Sequence, residues 1–193
     1  GTVSGTSISF GSPVVFESGT SDYISATYDS TSGKVIIAYR DHGNFEYYGK
    51  VVIGTVSGTS INFGSAVTFE SASTDYISAT YDSTKEKVVI AYRDVDNSNR
   101  GTAILGTVSG TSISFGSAVV FNSTNASNNR AIYDSSSGKT VIAYENRGNS
   151  DYGTAVVYSI DTLGTNLTAN NFVGFSDDNY TNGQTAKIQI AGS

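Results

Sequence analysis

Gly1-Thr-Val-Ser-Gly-Thr-Ser-Ile-Ser-Phe-Gly-Ser12 opens the chain and decides how the rest is read. The same stretch returns as Gly54–Ser65, with Asn62 in place of Ser9, and again without change as Gly106–Ser117. The copies start 53 and then 52 residues apart. A period of this size marks a tandem array of one supersecondary unit, in which neighbouring units cover each other's apolar faces.

Composition narrows the possibilities further. Formal net charge is −6 across 193 residues and no basic run occurs, so a nucleic-acid backbone is not an expected partner. The absence of cysteine excludes a disulfide framework, a thiolate metal site and a cysteine nucleophile. Methionine is absent too, so the chain reads as a processed product or a piece of something longer. No run of 18 apolar residues is present, and membrane insertion is not expected. Nor is a signal peptide recognisable. Asn-x-Ser/Thr triplets at Asn122, Asn125, Asn166 and Asn179 are what chance supplies in a chain rich in Asn, Ser and Thr.

Between the repeated blocks the pattern is that of short strands. Helical periodicity never lasts beyond a turn, and Pro13 is the single proline. In the first unit, Tyr23–Tyr28 (strand A) alternates Ile24, Ala26 and Tyr28 against Ser25 and Thr27. Asp29-Ser-Thr-Ser-Gly33 then reads as a hairpin loop whose glycine supplies a positive φ. Lys34–Tyr39 (strand B) is continuously apolar after its lysine and is expected to be covered on both faces. Strand C is placed at 50–56 and strand D at 59–63, extended after a kink by 67–69. The order repeats through Tyr76–Tyr81, Lys87–Tyr92 and Thr102–Val108, and again through Arg130–Tyr133, Thr140–Tyr144 and Gly153–Tyr158.

Four short antiparallel strands per unit predict an all-β fold, a β-propeller-type array of four-stranded blades with about three repeats of 52–53 residues. A parallel β-helix is the structural competitor. The first block is a D strand, so the chain enters out of phase with its blades, as chains do when strands from their two ends share a blade. Three units are too few to close a propeller ring. A longer chain or a homo-oligomer is therefore expected. Residues 1–176 are assigned to the blades, with a degenerate strand over 164–175 finishing the last one. Residues 177–193 supply an extra strand around Thr185–Ile190 or begin another domain.

Tyr28-Asp-Ser-x-Ser-Gly-Lys-Val35, leading to Ile37-Ala-Tyr-Arg-Asp41, resembles the sialidase-like, BNR-type propeller repeats, although the Ser-x-Asp-x-Gly-x-Thr-Trp box is missing and there is no tryptophan. A closer resemblance is to the repetitive propeller arrays of marine phage tail-fibre-like proteins. Those combine blades of the Gly-Thr-Val-Ser-Gly-Thr-Ser-Ile-Ser-Phe type with segments like Leu167–Asp177 and Gly183–Ile190. The resemblance implies a virion-surface or extracellular setting more than an activity.

The candidate binding residues come from comparing the units. In a four-stranded blade the A–B and C–D turns lie on one face of the array and the B–C and D–A connections on the other. The C–D turn is the same in Gly54–Gly58 and Gly106–Gly110, and the A–B turn is nearly so, although Glu86 stands where Gly33 and Gly138 stand. The B–C loops Asp41–Tyr48, Asp94–Arg100 and Glu145–Tyr152 diverge completely, as do the D–A stretches Glu17–Ser21, Glu70–Thr74 and Asn122–Ser127. Divergence thus gathers on one face, whose Tyr, Asn, Asp and Arg suit contacts to sugars or protein surfaces. Drift of exposed loops would give the same pattern. The ligand-binding candidates are Asn44, Phe45, Tyr47, Tyr48, Asp94, Asn97, Arg100, Arg147, Asn149 and Tyr152.

Other residues have plainer readings. Tyr28, Tyr81 and Tyr133, with Tyr39, Tyr92 and Tyr144, recur once per unit and are expected to pack between blades. Asp29, Asp82 and Asp134 are expected to form Asx turns. Arg40 and Arg93 are equivalent, but Glu145 holds the third position, so a sialidase-type arginine triad is not assembled and pairing with nearby carboxylates is expected. His42, the only histidine, has no nucleophile partner at an informative spacing. Asp94-Val-Asp-Asn97 has oxygen spacing for Ca²⁺ but lacks the glycine and distal glutamate of an EF-hand, and a turn is expected instead. Neither cofactor, metal nor catalytic residue is expected. The function expected is non-enzymatic recognition of a cell-surface glycan or protein. The alternatives are a self-assembling structural element and, behind it, a sialidase-like glycosidase.

Overall fold

A computed structural model describes residues 2–43 and 47–160. It is all-β with almost no helix, and Gly1–Ile160 form one compact unit. Strands β1 (Thr2–Ser4) and β2 (Ser7–Ser9) make a separate hairpin. The other strands are β3 (Ser21–Asp29), β4 (Lys34–Asp41), β5 (Tyr48–Ser57), β6 (Ser60–Phe63), β7 (Val67–Asp82) and β8 (Lys87–Asp94). They continue with β9 (Arg100–Ser109), β10 (Ser112–Phe115), β11 (Val119–Asp134), β12 (Lys139–Asn146) and β13 (Tyr152–Tyr158). Together these form an 11-stranded antiparallel sheet in the order β13-β12-β11-β9-β8-β7-β5-β4-β3, with β10 on β9 and β6 on β5. The sheet is open, running from β3 to β13 without closing.

Two strands of 16 residues, β7 and β11, organise this sheet because each changes partner midway. The first half of β7 pairs with β5, from Val67 opposite Val51 to Ser73 opposite Tyr48. From Thr74 onward it pairs with β8. β6 covers the remainder of β5, from Gly54 to Ser57. The Gly64 N–H bridges the gap by donating to the Ile53 carbonyl at 2.9 Å. The D strand of the first unit is therefore split between β6 and the start of β7. β10 and the start of β11 repeat the arrangement on β9. Glu70–Thr74 and Asn122–Ser127, expected as D–A loops, lie inside these continuous strands. The chain leaves one set of partners and joins the next without reversing, so no turn is needed there. We call the sets unit one (β3–β6 and the first half of β7), unit two (the rest of β7, β8–β10 and the first half of β11) and unit three (the rest of β11, β12 and β13). The strands expected at 164–175 and 185–190 lie outside the described residues.

The core lies between the units. Ile36, Ala38, Val51 and Ile53 of unit one pack with Ile77, Ala79, Val88, Ile90 and Tyr92 of unit two. On the other side, Ala91 and Ala103 of unit two meet Ala126, Ile142 and Tyr144 at the start of unit three. Burial on both faces, expected of Lys34–Tyr39, is incomplete there, with Val35 and Ile37 half-buried, and holds in full for β8, where Val88–Tyr92 are all buried. β12 alternates instead, with Ile142 buried and Ala143 exposed. Among the described residues, only the middle unit has a neighbour on either side.

Two seams hold successive units in register. On the inner seam the A strands lie side by side, and side-chain hydroxyls receive the neighbouring strand's backbone. The Ala79 N–H donates to Ser25 Oγ at 2.9 Å, Ala131 N–H to Ser78 Oγ at 2.9 Å, and Tyr133 N–H to Thr80 Oγ1 at 3.1 Å. On the outer seam Gly64 sits so tightly against the next C–D turn that a Cβ would fall 2.2 Å from the Thr111 carbonyl oxygen.

Most of the repeated tyrosines pack as expected. Tyr39, Tyr92 and Tyr144 are buried against Phe16, Phe69 and Phe121, with ring centroids 5.1, 5.3 and 5.2 Å apart. The Tyr39 and Tyr92 hydroxyls donate to Glu17 and Glu70, each at 3.0 Å. Phe16 and Glu17 thus stand to Tyr39 as Phe69 and Glu70 stand to Tyr92. The N-terminal segment supplies the outer-strand contacts of a unit before unit one, in keeping with the out-of-phase start. Tyr81 reaches across to Thr31 Oγ1 at 2.8 Å, and Tyr133 reaches Thr84. Tyr28 departs from the expectation at 57 % exposure, because no preceding A–B loop stands beside it among the described residues.

The Asx turns form as expected. Asp29 Oδ1 accepts the Thr31 and Ser32 N–H groups, Asp82 Oδ1 those of Thr84 and Lys85, and Asp134 Oδ1 that of Ser136. Each loop then needs a left-handed residue, supplied by Gly33 (φ 68°), Glu86 (φ 55°) and Gly138 (φ 66°). A side chain in that region costs about 1–2 kcal/mol. Glu86 is exposed, so Glu86→Gly is expected to stabilise the fold by about 1 kcal/mol after the glycine's added unfolded-state entropy. Urea unfolding of the two proteins measures this, and an unchanged midpoint would contradict the strain assigned to Glu86.

Candidate functional site

Each A strand begins with a β-bulge. The pairing of β3 with β4 slips between Asp22 and Ser25, that of β7 with β8 between Asp75 and Ser78, and that of β11 with β12 between Ser127 and Arg130. The residue after the first of each pair is left-handed: Tyr23 (φ 47°), Tyr76 (φ 50°) and Asn128 (φ 55°). Asparagine tolerates this region, whereas a tyrosine there is unusual. Bulges re-aim side chains, and such strain collects where a site needs it. Here the three bulges converge on one cavity of about 360 Å³, whose walls include Tyr23, Ser25, Tyr76, Ser78, Asn128 and Arg130. That volume falls in the range of small-ligand sites.

Behind the cavity runs an ion-pair chain that crosses the units. Arg40 donates to Asp22 of its own unit at 2.6–2.7 Å and also to Asp75 of unit two. Arg93 donates to Asp75 in turn, and lies 3.4–3.5 Å from Ser127 Oγ and Asn125 Oδ1 of the following strand. Asp75 is buried and shared by both guanidiniums. Each arginine also lies over its unit's tyrosine, Arg40 at 4.6 Å from the Tyr23 centroid and Arg93 at 4.6 Å from that of Tyr76. The expected pairing of these arginines with carboxylates is therefore found. In unit three the pattern changes: Glu145 replaces the arginine and accepts from Asn128 Nδ2 at 2.8 Å.

Burial pushes the Asp22 carboxyl up, but its bonds to Arg40 and His42 outweigh this and hold it below the usual range. The same balance holds for Asp41, where Lys50 and the Gly43 N–H prevail over burial. Asp29 follows it through Ser32 and Thr31. Asp94 goes the other way, raised by burial and then by the charge of Glu70 despite the Asn97 N–H.

The ten sequence-derived candidates are distributed over three strand connections. Asn44 and Phe45 lie outside the described residues. Tyr47 touches the ion-pair chain, with its ring 4.9 Å from His42 and 5.2 Å from the Arg40 guanidinium carbon. Tyr48 is in β5 opposite Asp41. Asp94 is buried and accepts the Asn97 N–H at 3.2 Å, so this segment is the expected turn. Arg100 opens β9 opposite Asp94. Arg147 donates to Glu145 at 2.9 Å, and Tyr152 is 62 % exposed at the start of β13.

The second and third B–C loops share a conformation despite their different sequences. Asn97 and Asn149 each accept the N–H three residues on, at 3.3 and 3.1 Å. Both central residues are left-handed, Ser98 and Asn99 at φ 60° and Ser150 and Asp151 at φ 54° and 58°. These are tight type I′ hairpin turns. None of the eight candidates among the described residues lines the cavity. Its residues were signalled in the sequence by a block substitution: Asp22-Tyr-Ile-Ser25 and Asp75-Tyr-Ile-Ser78 are followed by Ser127-Asn-Asn-Arg130, all four positions changed. The cavity and the B–C turns nonetheless share one end of the strands, since Asp22 pairs with Arg40 and Ser21 with Asp41.

No protein-family model matches this chain, and no curated protein is significantly similar to it.

Removing one partner from a buried pair strands the other charge. Asp75→Asn, which weakens the links to two arginines, is therefore expected to cost about 3–5 kcal/mol. Asp22→Asn, at a 39 % exposed side chain, is expected to cost about 1 kcal/mol or less. Equal losses in urea unfolding would show that Asp75 is not the shared anchor.

The lowered carboxyls also fix an acid response. The folded forms of Asp22, Asp29 and Asp41 hold protons less readily than the unfolded chain. Their stabilisation is complete above the unfolded value of about 4 and disappears as pH falls through the folded ones. Asp94 opposes this with a single group. Thermal midpoints are expected to fall between pH 5 and pH 2.5, less steeply in Asp22→Asn, as measured by circular dichroism in buffers of matched ionic strength. A flat profile would contradict the assigned directions.

Proposed function

We propose that the three units are blades of a β-propeller-type array and that the chain is a non-enzymatic recognition module, extracellular or virion-surface in setting, for a cell-surface glycan or protein. The observation that carries this reading is the convergence of three left-handed bulge residues, one from each unit, on a single cavity beside the B–C turns. The side-by-side A strands are consistent with the inner strands of successive blades. The tyrosines at the cavity offer aromatic surface at low entropic cost, and the hydroxyl and amide groups beside them offer hydrogen bonds. The ion-pair chain behind them keeps this surface in place.

The experiment is binding of the whole chain to an array of bacterial envelope polysaccharides, with a Tyr76→Asn variant alongside. Asparagine accepts the left-handed backbone and already fills the equivalent place in unit three. The variant is therefore expected to keep the fold and lose at least tenfold in binding. If the folded parent binds no polysaccharide and no envelope protein, the recognition reading is wrong.

A second reading, a self-assembling structural element, is favoured by exposed apolar residues at the two ends of the array. Ile24 and Tyr28 are 53 % and 57 % exposed at one end, Ile132 and Val157 66 % and 63 % at the other. Sedimentation velocity over a concentration series separates the readings. Growth of oligomers favours assembly, and a single species of unchanging mass opposes it.

A further inference from the structure

Arg130 differs from the other arginines around it. Arg40 and Arg93 are neutralised by Asp22 and Asp75, and Arg147 by Glu145. Arg130 makes no ion pair among the described residues and donates only to the neighbouring carbonyl of Asn129, at 2.8 Å. It is exposed, although it stands where units one and two carry Ser25 and Ser78. Those serines accept a backbone N–H from the next A strand, whereas an arginine is a donor without an acceptor and cannot do so. The exchange therefore gives up the inner-seam bond at this position and puts an unpaired guanidinium on the wall of the cavity. Among the described residues that line the first cavity, Arg130 is the one that carries charge.

A second concavity meets the first at the same residues. It has a volume of about 550 Å³ and is walled by Asn128, Arg130, Tyr144, Glu145, Asp151 and Thr154, among others. Asn128 and Arg130 thus separate two hollows, one rich in tyrosine and serine and the other carrying the carboxylates of Glu145 and Asp151 and the Thr154 hydroxyl. A ligand that spans both fits with one anionic group on Arg130 and neutral hydroxyl-bearing groups on either side, because Glu145 and Asp151 repel any further anion in the second hollow. A planar guanidinium favours a forked, charge-assisted pair with an anion.

We infer that the paired hollows hold an acidic saccharide, with the anionic group of one sugar on Arg130 and the neighbouring sugars against Tyr23 and Tyr76 on one side and Thr154 on the other. This deepens the recognition reading and rests on it. A carboxylate and a sulfate ester share the required chemistry, and the test separates them.

The whole chain is titrated by calorimetry with galactan tetramers carrying one galacturonic acid residue, with the same tetramers after reduction of that carboxyl to an alcohol, and with galactan tetramers carrying one sulfate ester. Arg130→Ser and Arg130→Lys are run beside the parent. At least one acidic tetramer is expected to bind at least tenfold more tightly than the reduced one and to weaken as salt rises. The acidic tetramer that binds more tightly identifies the anion. Arg130→Ser, which restores the residue of the other two units, is expected to abolish that preference without lowering the thermal midpoint. Arg130→Lys is expected to retain part of it. Equal binding of reduced and acidic tetramers, or a preference unaffected by Arg130→Ser, overturns the assignment and leaves the recognition reading standing. Binding of other envelope polysaccharides but of no acidic tetramer does the same. If no glycan and no envelope protein binds at all, the recognition reading fails and takes the assignment with it.

Discussion

The backbone of β7 and β11 imposes the constraint on which the rest depends. Buried N–H and C=O groups must be paired, and each of these strands meets that demand in two successive sets of partners. Val67–Ser73 close unit one and Thr74–Asp82 open unit two within a single extended run. No flexible connection is left between the units, so the orientation of one is transmitted to the next by a strand that belongs to both. The bulge lies just past this change of partner, and it brings Tyr76 and Asn128 to the cavity. The geometry of the candidate site thus follows from how the chain passes between units.

Side-chain packing then works on a frame already fixed. The apolar residues of β4 and β5 meet those of β7 and β8 because the pleat alternates, one set facing each neighbour. The seams add direction. Ser25 and Ser78 accept only from the strand that follows, and Arg40 and Arg93 reach forward to the residues of the next unit. A unit accordingly has distinct leading and trailing faces, and the array has a polarity from β3 towards β13.

Much of this was legible in the sequence. The repeat of Gly1–Ser12 gave the period, the alternation in Tyr23–Tyr28 gave the A strand, and the Asp29 and Gly33 pattern gave the hairpin turn. The split D strand could also be read from the kink before Val67. What could not be read was that Glu70–Thr74 continues as strand, because its polar composition is that of a loop and its pairing is long-range. The site was harder still. Comparing loops by their divergence led to the B–C turns, two of which prove to share one conformation. The informative change was Ser127–Arg130, inside a strand, of which only Ser127 fell within a stretch compared as a loop. Bulges leave little local signature, and nothing in the composition of Asp22–Ser25 separates a left-handed tyrosine from an extended one.

The junction residues of unit two carry one more consequence, for the inheritance of such an array. Its trailing face repeats that of unit one at Ser78, Thr80, Ala91 and Arg93, which stand where unit one has Ser25, Thr27, Ala38 and Arg40. A copy of unit two placed after itself would meet a leading face it already fits, with Ala103 in place of Val51 as a difference in the core. Misaligned recombination between the repeats could therefore lengthen or shorten the chain by whole units without creating a mismatched junction. Unit three has no such freedom, because Arg130, Ile132 and Glu145 no longer present the hydroxyls and the arginine that a following unit would use.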